Sequence, residues 1–321
     1  MRASFKDQHD YLRRASGAPG LENLLPASMA GMSVASSKTP ESAIVIRNIE
    51  TLAEMRAVEE LQREVWGDED VVPLTHLIAA REVGGILVGA FDGEVMAGFV
   101  YGFIGQEGAH GVIHSHMLAV KPGFRDRSLG YRLKLAQREQ ALSAGFERIT
   151  WTFDPLQSRN AHLNFGRLGV VADSYRIDFY GAESPSALHR HIGTDRLWVT
   201  WLLKSERVRR RLESGPTPEQ PAPAMARPVT LVEADGAGAP VLKERAEGLK
   251  GEPALIEIPG DIGSLQQYDP GLAVRWREAT RHAFTEALAS AYIVEEFYRL
   301  DRNGQRLGAY LLRRVESGET G

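Results

Sequence analysis

Hydrophobic positions are irregular over residues 1–42, where Ser, Ala, Gly and Pro dominate. This predicts a flexible N-terminal arm with at most a short helix at Leu21–Leu25. Ordered patterning starts at Ile44-Val45-Ile46. Thr51 and Glu54 have the spacing of a capping box ahead of the partly helical series Leu52, Met55, Val58 and Val65, and a second short helix fits His76–Glu82. Gly85–Phe91 reads as a strand and Asp92-Gly93 as a hairpin turn. Val95–Ile104 is almost wholly apolar, which suits a strand covered on both faces. His110–Val120 is the next strand, followed by a turn-rich basic loop, Lys121–Gly130, and a helix over Tyr131–Ala144 with Gly145 beyond its end. Arg148–Phe153 alternates as a strand, Ser158–Leu168 fits a short helix, and Val170–Tyr180 and Leu197–Leu203 fit two more strands.

The pattern breaks at Pro216, Pro218, Pro221, Pro223 and Pro228, so residues 213–228 are expected to be a stiff, extended linker. Beyond it Ala254–Ile258 reads as a buried strand. Asp269-Pro270 opens a long helix to about Ser290, and Tyr292–Leu300 and Arg306–Val315 pair across Asn303-Gly304. Trp276, Thr280 and Phe284 form the expected core face of that helix. Arg277 and Arg281 form an adjacent stripe, expected at the surface and favouring an acidic acceptor if it faces a cleft. The division expected is a 1–42 arm, a 43–212 domain, the 213–228 linker and a smaller 229–321 α/β domain packed on the first.

Composition narrows the chemistry. With 321 residues, 43% hydrophobic and 25% charged, the chain can build a sizeable core. Lys and Arg number 38 against 42 Asp and Glu, a net charge of −4, so no global basic field favours nucleic acid or anionic membrane. The absence of Cys excludes disulfides, thiolate nucleophiles and Cys-ligated zinc. No run reaches the ~18 apolar residues of a membrane span. Met1–Asp10 lacks an apolar signal core, so a cytoplasmic location is expected. His189-Arg190-His191 has no further ligand at convincing metal spacing and reads as a solvated loop; no metal is expected. The run Arg207, Arg209, Arg210 and Arg211 reads as a solvated helix end, and Asp154-Pro155 as a turn whose carboxylate could alternatively meet an amine.

The basic loop carries the strongest chemical signal. It joins a strand to a helix. Small Ser128 and Gly130 would let main-chain N–H groups approach an anion at the positive end of the helix, with Arg125 and Arg127 adding full charge. An ordinary turn with solvated arginines would look the same. His114 and His116 lie two apart on one strand, hence on one face and ~7 Å apart, where neutral imidazoles could take a proton from a nucleophile or sit as satisfied structural side chains.

The element order together with Arg125-x-x-Ser128-x-Gly130 resembles the GNAT acetyltransferase superfamily, whose coenzyme A loop reads Arg/Gln-x-x-Gly-x-Gly/Ala; here Ser replaces the middle Gly. Ser158–Val170 is similar to the superfamily's Asn-x-x-Ala-x-x-x-Tyr-x-x-x-Gly-Phe helix: Ala161 and Gly169 match, while Ser158 and Phe165 replace Asn and Tyr. That Tyr often protonates the departing sulfur, and Phe165 cannot, so a packing role is expected for it. The His-x-His strand resembles that of arylalkylamine N-acetyltransferases, and Phe153-Asp154-Pro155-Leu156 with Asn160-Ala161-His162-Leu163-Asn164 resembles a group of bacterial GNAT-like proteins.

The resemblance implies an α/β (α+β) GNAT-like fold: a central mixed, mostly antiparallel sheet flanked by helices, with a smaller C-terminal α/β extension. It implies an acyl-CoA-dependent acyltransferase moving an acetyl group from acetyl-CoA, or another acyl-CoA, to a small-molecule amine. His114 would be the base and His116 the relay. Leu118, Val120, Arg125, Asp126, Arg127, Ser128, Leu129 and Gly130 would bind the donor, whose pantetheine would lie between splayed strands at Met117–Val120 and Ile149–Phe153. Asn160 and Asn164, one helical turn apart, could bond pantetheine amides or tie neighbouring loops. A homodimer is left open. The alternative is a non-catalytic acyl-CoA sensor or scaffold on the same fold.

Overall fold

The computed structural model describes residues 44–125, 127–181, 192–215, 228–245, 248–302 and 304–315. The expected arm with its Leu21–Leu25 helix, His189 and His191, and most of the Pro-rich stretch lie outside these residues.

The first strand, β1 (Val45–Asn48), leads into helix α1 (Leu52–Trp66). The capping box is present: Thr51 Oγ1 accepts from Glu54 N–H at 3.2 Å and the Glu54 carboxylate accepts from Thr51 N–H at 3.1 Å. Helix α2 (Leu74–Glu82) precedes the antiparallel strands β2 (Ile86–Asp92), β3 (Val95–Glu107) and β4 (His110–Val120). Helix α3 (Leu129–Ser143) follows the basic loop, then β5 (Arg148–Phe153) and helix α4 (Ser158–Ala161), which runs on as π-helix over His162–Leu168. Strands β6 (Val171–Arg176) and β7 (Arg196–Leu202) and helix α5 (Glu206–Ser214) complete the first half.

The second half holds β8 (Val229–Ala234), β9 (Pro240–Leu242), β10 (Ala254–Pro259), helix α6 (Ile262–Tyr268), helix α7 (Pro270–Ala289), β11 (Tyr292–Arg302) and β12 (Gln305–Arg314). Strands β8 and β9 and helices α5 and α6 are short, and of these only α5, whose basic run reads as a helix end, has a counterpart in the sequence pattern. Asp269 caps α7, its carboxylate accepting from Leu272 N–H at 2.9 Å ahead of Pro270.

All described strands join one sheet, in the order β1-β2-β3-β4-β5-β7-β6-β11-β12-β10-β8-β9. Only β4 with β5 and β8 with β10 run parallel, so the sheet is mixed and mostly antiparallel. Within the sheet the halves join at one register pair, Val294 on β11 with Ala172 on β6. Alternation along the strands sorts the core. Ile86, Val88, Ala90 and Val100 face α3, while Leu87, Phe91, Phe99 and Tyr101 face α1 and α2. Strand β3 is thus buried on both faces, as its unbroken apolar run implies. Among the described residues no helix is long and apolar enough to cross a membrane.

Candidate functional site

The register of β3 with β4 sets the geometry. Tyr101 pairs with Met117 and Gly102 with Ser115, which leaves His116 as an extra residue in a β-bulge. The bulge reverses the alternation. Before it, Ser115 points toward α3; after it, Leu118 and Val120 do, and Met117 and Ala119 join the α1–α2 core. Both imidazoles stay on the α1–α2 side. The Phe103 ring lies 5.3 Å from that of His114 and 5.8 Å from that of His116. The wall continues with Trp198, 5.1 Å from His114, and Tyr101, 6.2 Å from His116, whose hydroxyl is 2.9 Å from His76 Nε2.

His114 Nδ1 and Thr150 Oγ1 are 3.0 Å apart across β4 and β5, which fixes the ring. Burial, then the neighbouring His116 and Lys134, pushes His114 down to about 4. His116, the more exposed ring, is lowered by desolvation against its neighbours and by His76. Lys134 lies on the opposite face, fully enclosed: Nζ donates to Ser115 Oγ and Gln137 Oε1, each at 2.9 Å, and sits 3.6 Å above the Trp151 ring. Burial drives its pKa well below the ordinary lysine value.

Strands β4 and β5 pair only at Ile113–Ile149 and His114–Thr150, then part. On the far edge of β4, Lys121 N–H bonds to Ala97 C=O of β3 at 2.9 Å. By strand alternation the N–H groups of Leu118 and Val120 therefore face the gap toward β5. That gap leads to a cavity of about 660 Å³ at the start of α3. Val120, Arg125, Ser128, Leu129 and Gly130 line it; Leu118 packs beside it, Arg127 lies at the surface near Phe124, and Asp126 is outside the described residues.

Ser128 opens α3 with φ 55° and ψ 21°, a left-handed conformation that a Cβ disfavours. Its hydroxyl accepts from Arg167 Nη1 at 3.3 Å, and that guanidinium stacks 4.0 Å from the Tyr131 ring. Ser128→Gly is expected to raise unfolding stability by about 0.5–1 kcal/mol. A denaturant melt checks this, and a drop would mean that the Arg167 contact outweighs the backbone term. Gly130 is different. A Cβ there would meet only Leu118 Cδ2 at 3.7 Å and Leu163 Cδ2 at 3.9 Å, ordinary contacts, so internal packing does not require the glycine. Its value is the open floor it leaves in the cavity.

On α4, Phe165 is fully buried against Phe153 and Tyr310, a packing role. Asn160 is exposed while Asn164 is buried, and neither lines the cavity. From this helix the cavity is lined instead by Ser158, Arg159, His162, Leu163 and Arg167, and from the second half by Arg299 and Arg306 among others. The sequence offered no local signal for these arginines, because Arg159 and Arg167 sit outside the loop motif and Arg299 and Arg306 are far away in the chain.

The tail stripe is also not at the surface as expected. Arg277 is 2% exposed and Nη2 donates to Asp154 Oδ1 at 2.7 Å, while Nε donates to Ile192 C=O at 2.9 Å. Arg281 grips Asp195 with Nε and Nη2, both at 2.7 Å. Asp154 is thus committed to an internal ion pair and Arg281 to a half-buried one, because α7 packs over β6 and the loop after β5. The basic run on α5 divides as well: Arg209 and Arg210 pair locally with Glu206, while Arg207 and Arg211 reach Glu296 on β11.

Residues 50–169 match the model of the Acetyltransferase (GNAT) family. No curated protein matches the chain. Solved structures resemble about half of it. The ribosomal-protein-S18-alanine N-acetyltransferase from Escherichia coli aligns at 12% identity over 50% of this chain and 95% of its own, TM-score 0.41. The acetyltransferase yncA from Salmonella typhimurium, with acetyl-CoA, aligns at 15% over 51% and 96%, TM-score 0.42. An aminoglycoside 6'-N-acetyltransferase complexed with coenzyme A aligns at 14% over 50% and 98%, TM-score 0.39.

Proposed function

We propose that the chain, whose residues 50–169 match the GNAT acetyltransferase family model, transfers an acyl group from acetyl-CoA, or another acyl-CoA, to the amine of a small molecule. The observation that carries this reading is the opening between β4 and β5. It begins beyond His114, the last β4 residue paired with β5, and Val120 farther along β4 lines the cationic cavity at the start of α3. The residues present suit the donor. Its anionic end meets Arg125 and the N–H groups of Ser128–Gly130, and the open floor at Gly130 leaves room for it. The N–H groups of Leu118 and Val120 face the gap, where they would meet the pantetheine and polarise the thioester carbonyl.

The amine nitrogen attacks the thioester carbon. The C–N bond forms, the C–S bond breaks, and coenzyme A leaves as thiolate. The proton shed by nitrogen goes to neutral His114 and passes by His116 to solvent, and the thiolate is protonated by water. Phe103, Tyr101 and Trp198 around the imidazoles favour an acceptor with an apolar or flat body.

The purified protein should bind acetyl-CoA by calorimetry and release thiol when given a panel of arylalkyl and alkyl amines. Absence of coenzyme binding would end this reading. One observation favours a second reading. Phe165 fills the position of a proton-donating Tyr with a buried ring, which suits an acyl-CoA sensor. Tight coenzyme binding without transfer to any amine would select it.

A further inference from the structure

The cavity at the start of α3 is charged beyond what the GNAT loop supplies. Five arginines line it, Arg125, Arg159, Arg167, Arg299 and Arg306, and among the described lining residues there is no carboxylate. Two of the five come from outside residues 50–169: Arg299 on β11 and Arg306 on β12, both exposed. Two carboxylates near the cavity each accept a main-chain N–H, and neither lines it. Asp301, opposite Arg306 across the hairpin, accepts from Gly304 N–H at 3.1 Å. Asp261 caps α6, accepting from Ser264 N–H at 3.0 Å, and lines the adjoining cavity. His162, on the cavity wall, is depressed to about 4, first by burial and then by Arg299, Arg167 and Arg211.

Like charges gathered at a cavity repel one another and favour an anion among them. The loop motif accounts for one anion, a pyrophosphate at the N–H groups of Ser128–Gly130 beside Arg125 and Arg167. It does not account for the second-half wall. Resting on the coenzyme A reading above, we propose that Arg299 and Arg306 receive the ribose 3'-phosphate of coenzyme A, so that the C-terminal half completes the donor site and makes the protein selective for the 3'-phosphorylated coenzyme. A guanidinium is suited to this because its fork can give two parallel hydrogen bonds to phosphate oxygens.

The test is calorimetric titration of the full chain with coenzyme A and with 3'-dephospho-coenzyme A at fixed salt, for the wild type and for Arg299→Gln/Arg306→Gln. The substitutions are at exposed positions, and a thermal melt verifies the fold. The wild type is expected to bind coenzyme A at least about tenfold more tightly than the dephospho form. The double variant is expected to lose that preference while keeping its dephospho-coenzyme affinity within about twofold. Equal binding of both ligands by the wild type would overturn the inference and leave the donor reading intact. So would a double variant that keeps the wild-type preference, or one that weakens both ligands alike. Binding of neither ligand by the wild type would remove the donor reading itself, and this inference with it.

Discussion

Asp154→Ala should destabilise the fold by about 3–5 kcal/mol, the penalty expected when one partner of a buried ion pair is removed. The pair ties the loop after β5 to α7, with both side chains almost fully enclosed. Removing the carboxylate leaves the Arg277 guanidinium buried without its ion-pair partner, with the Ile192 carbonyl accepting from Nε and Tyr175 and Asp195 nearby. It also strips Leu156 N–H of its partner, Asp154 Oδ1 at 2.9 Å. The native pair is already incompletely satisfied: Asp154 Oδ2 and Arg277 Nη1 are buried without a hydrogen-bond partner among the described residues. An apolar replacement of both, Asp154→Leu with Arg277→Met, should therefore recover most of the loss. Denaturant midpoints measure both effects. A single-variant loss under about 1 kcal/mol would show that the site takes in water or relaxes.

His114→Ala should slow acyl transfer by about 10²–10⁴ in kcat, the usual range for a positioned acid–base group, with little change in coenzyme affinity. Unchanged turnover would remove His114 from the mechanism. The low proton affinity of this histidine adds a pH signature. Its neutral form persists down to about 4, so the acid limb of kcat/KM governed by it falls near 4 and not near 6.5.

The sign for stability follows. Between about 4 and 6.5 the unfolded chain binds a proton at this residue that the folded chain refuses. Stability therefore rises with pH across that window and is lost on acidification. His162, also held at about 4, contributes in the same direction. The His114→Ala protein should show a shallower slope of unfolding free energy over the same range, with the His162 part remaining.

Much of this was legible in order along the chain. The capping box at Thr51, the hairpin at Gly93, the doubly buried β3 and the Asp269-Pro270 start of α7 each depend on residues within a turn of one another. The glycine-rich basic loop and the His-x-His strand could be recognised for the same reason. The bulge at His116 was not legible, because period-two alternation gives the same reading with or without an extra residue until the strand is paired. Nor was the π-turn at His162. It widens the helix from His162 to Leu168, beside the cavity that Arg159 and Arg167 line, and carries no composition signal.

By itself, the sequence determined the kind and boundaries of most elements, the cysteine-free chemistry and the loop that faces an anion, since these follow from local conformational preference and hydrophobic period. The tertiary structure alone decided which charges are spent and which stand open. Arg277 and Arg281 looked like a solvated stripe and are ion-paired with Asp154 and Asp195, while Arg299 and Arg306 gave no signal and line the cavity. That outcome depends on β11 pairing beside β6 in one continuous sheet, a contact between distant stretches of chain. Pairing of this kind is set by the burial of both faces at once, which no window of sequence contains.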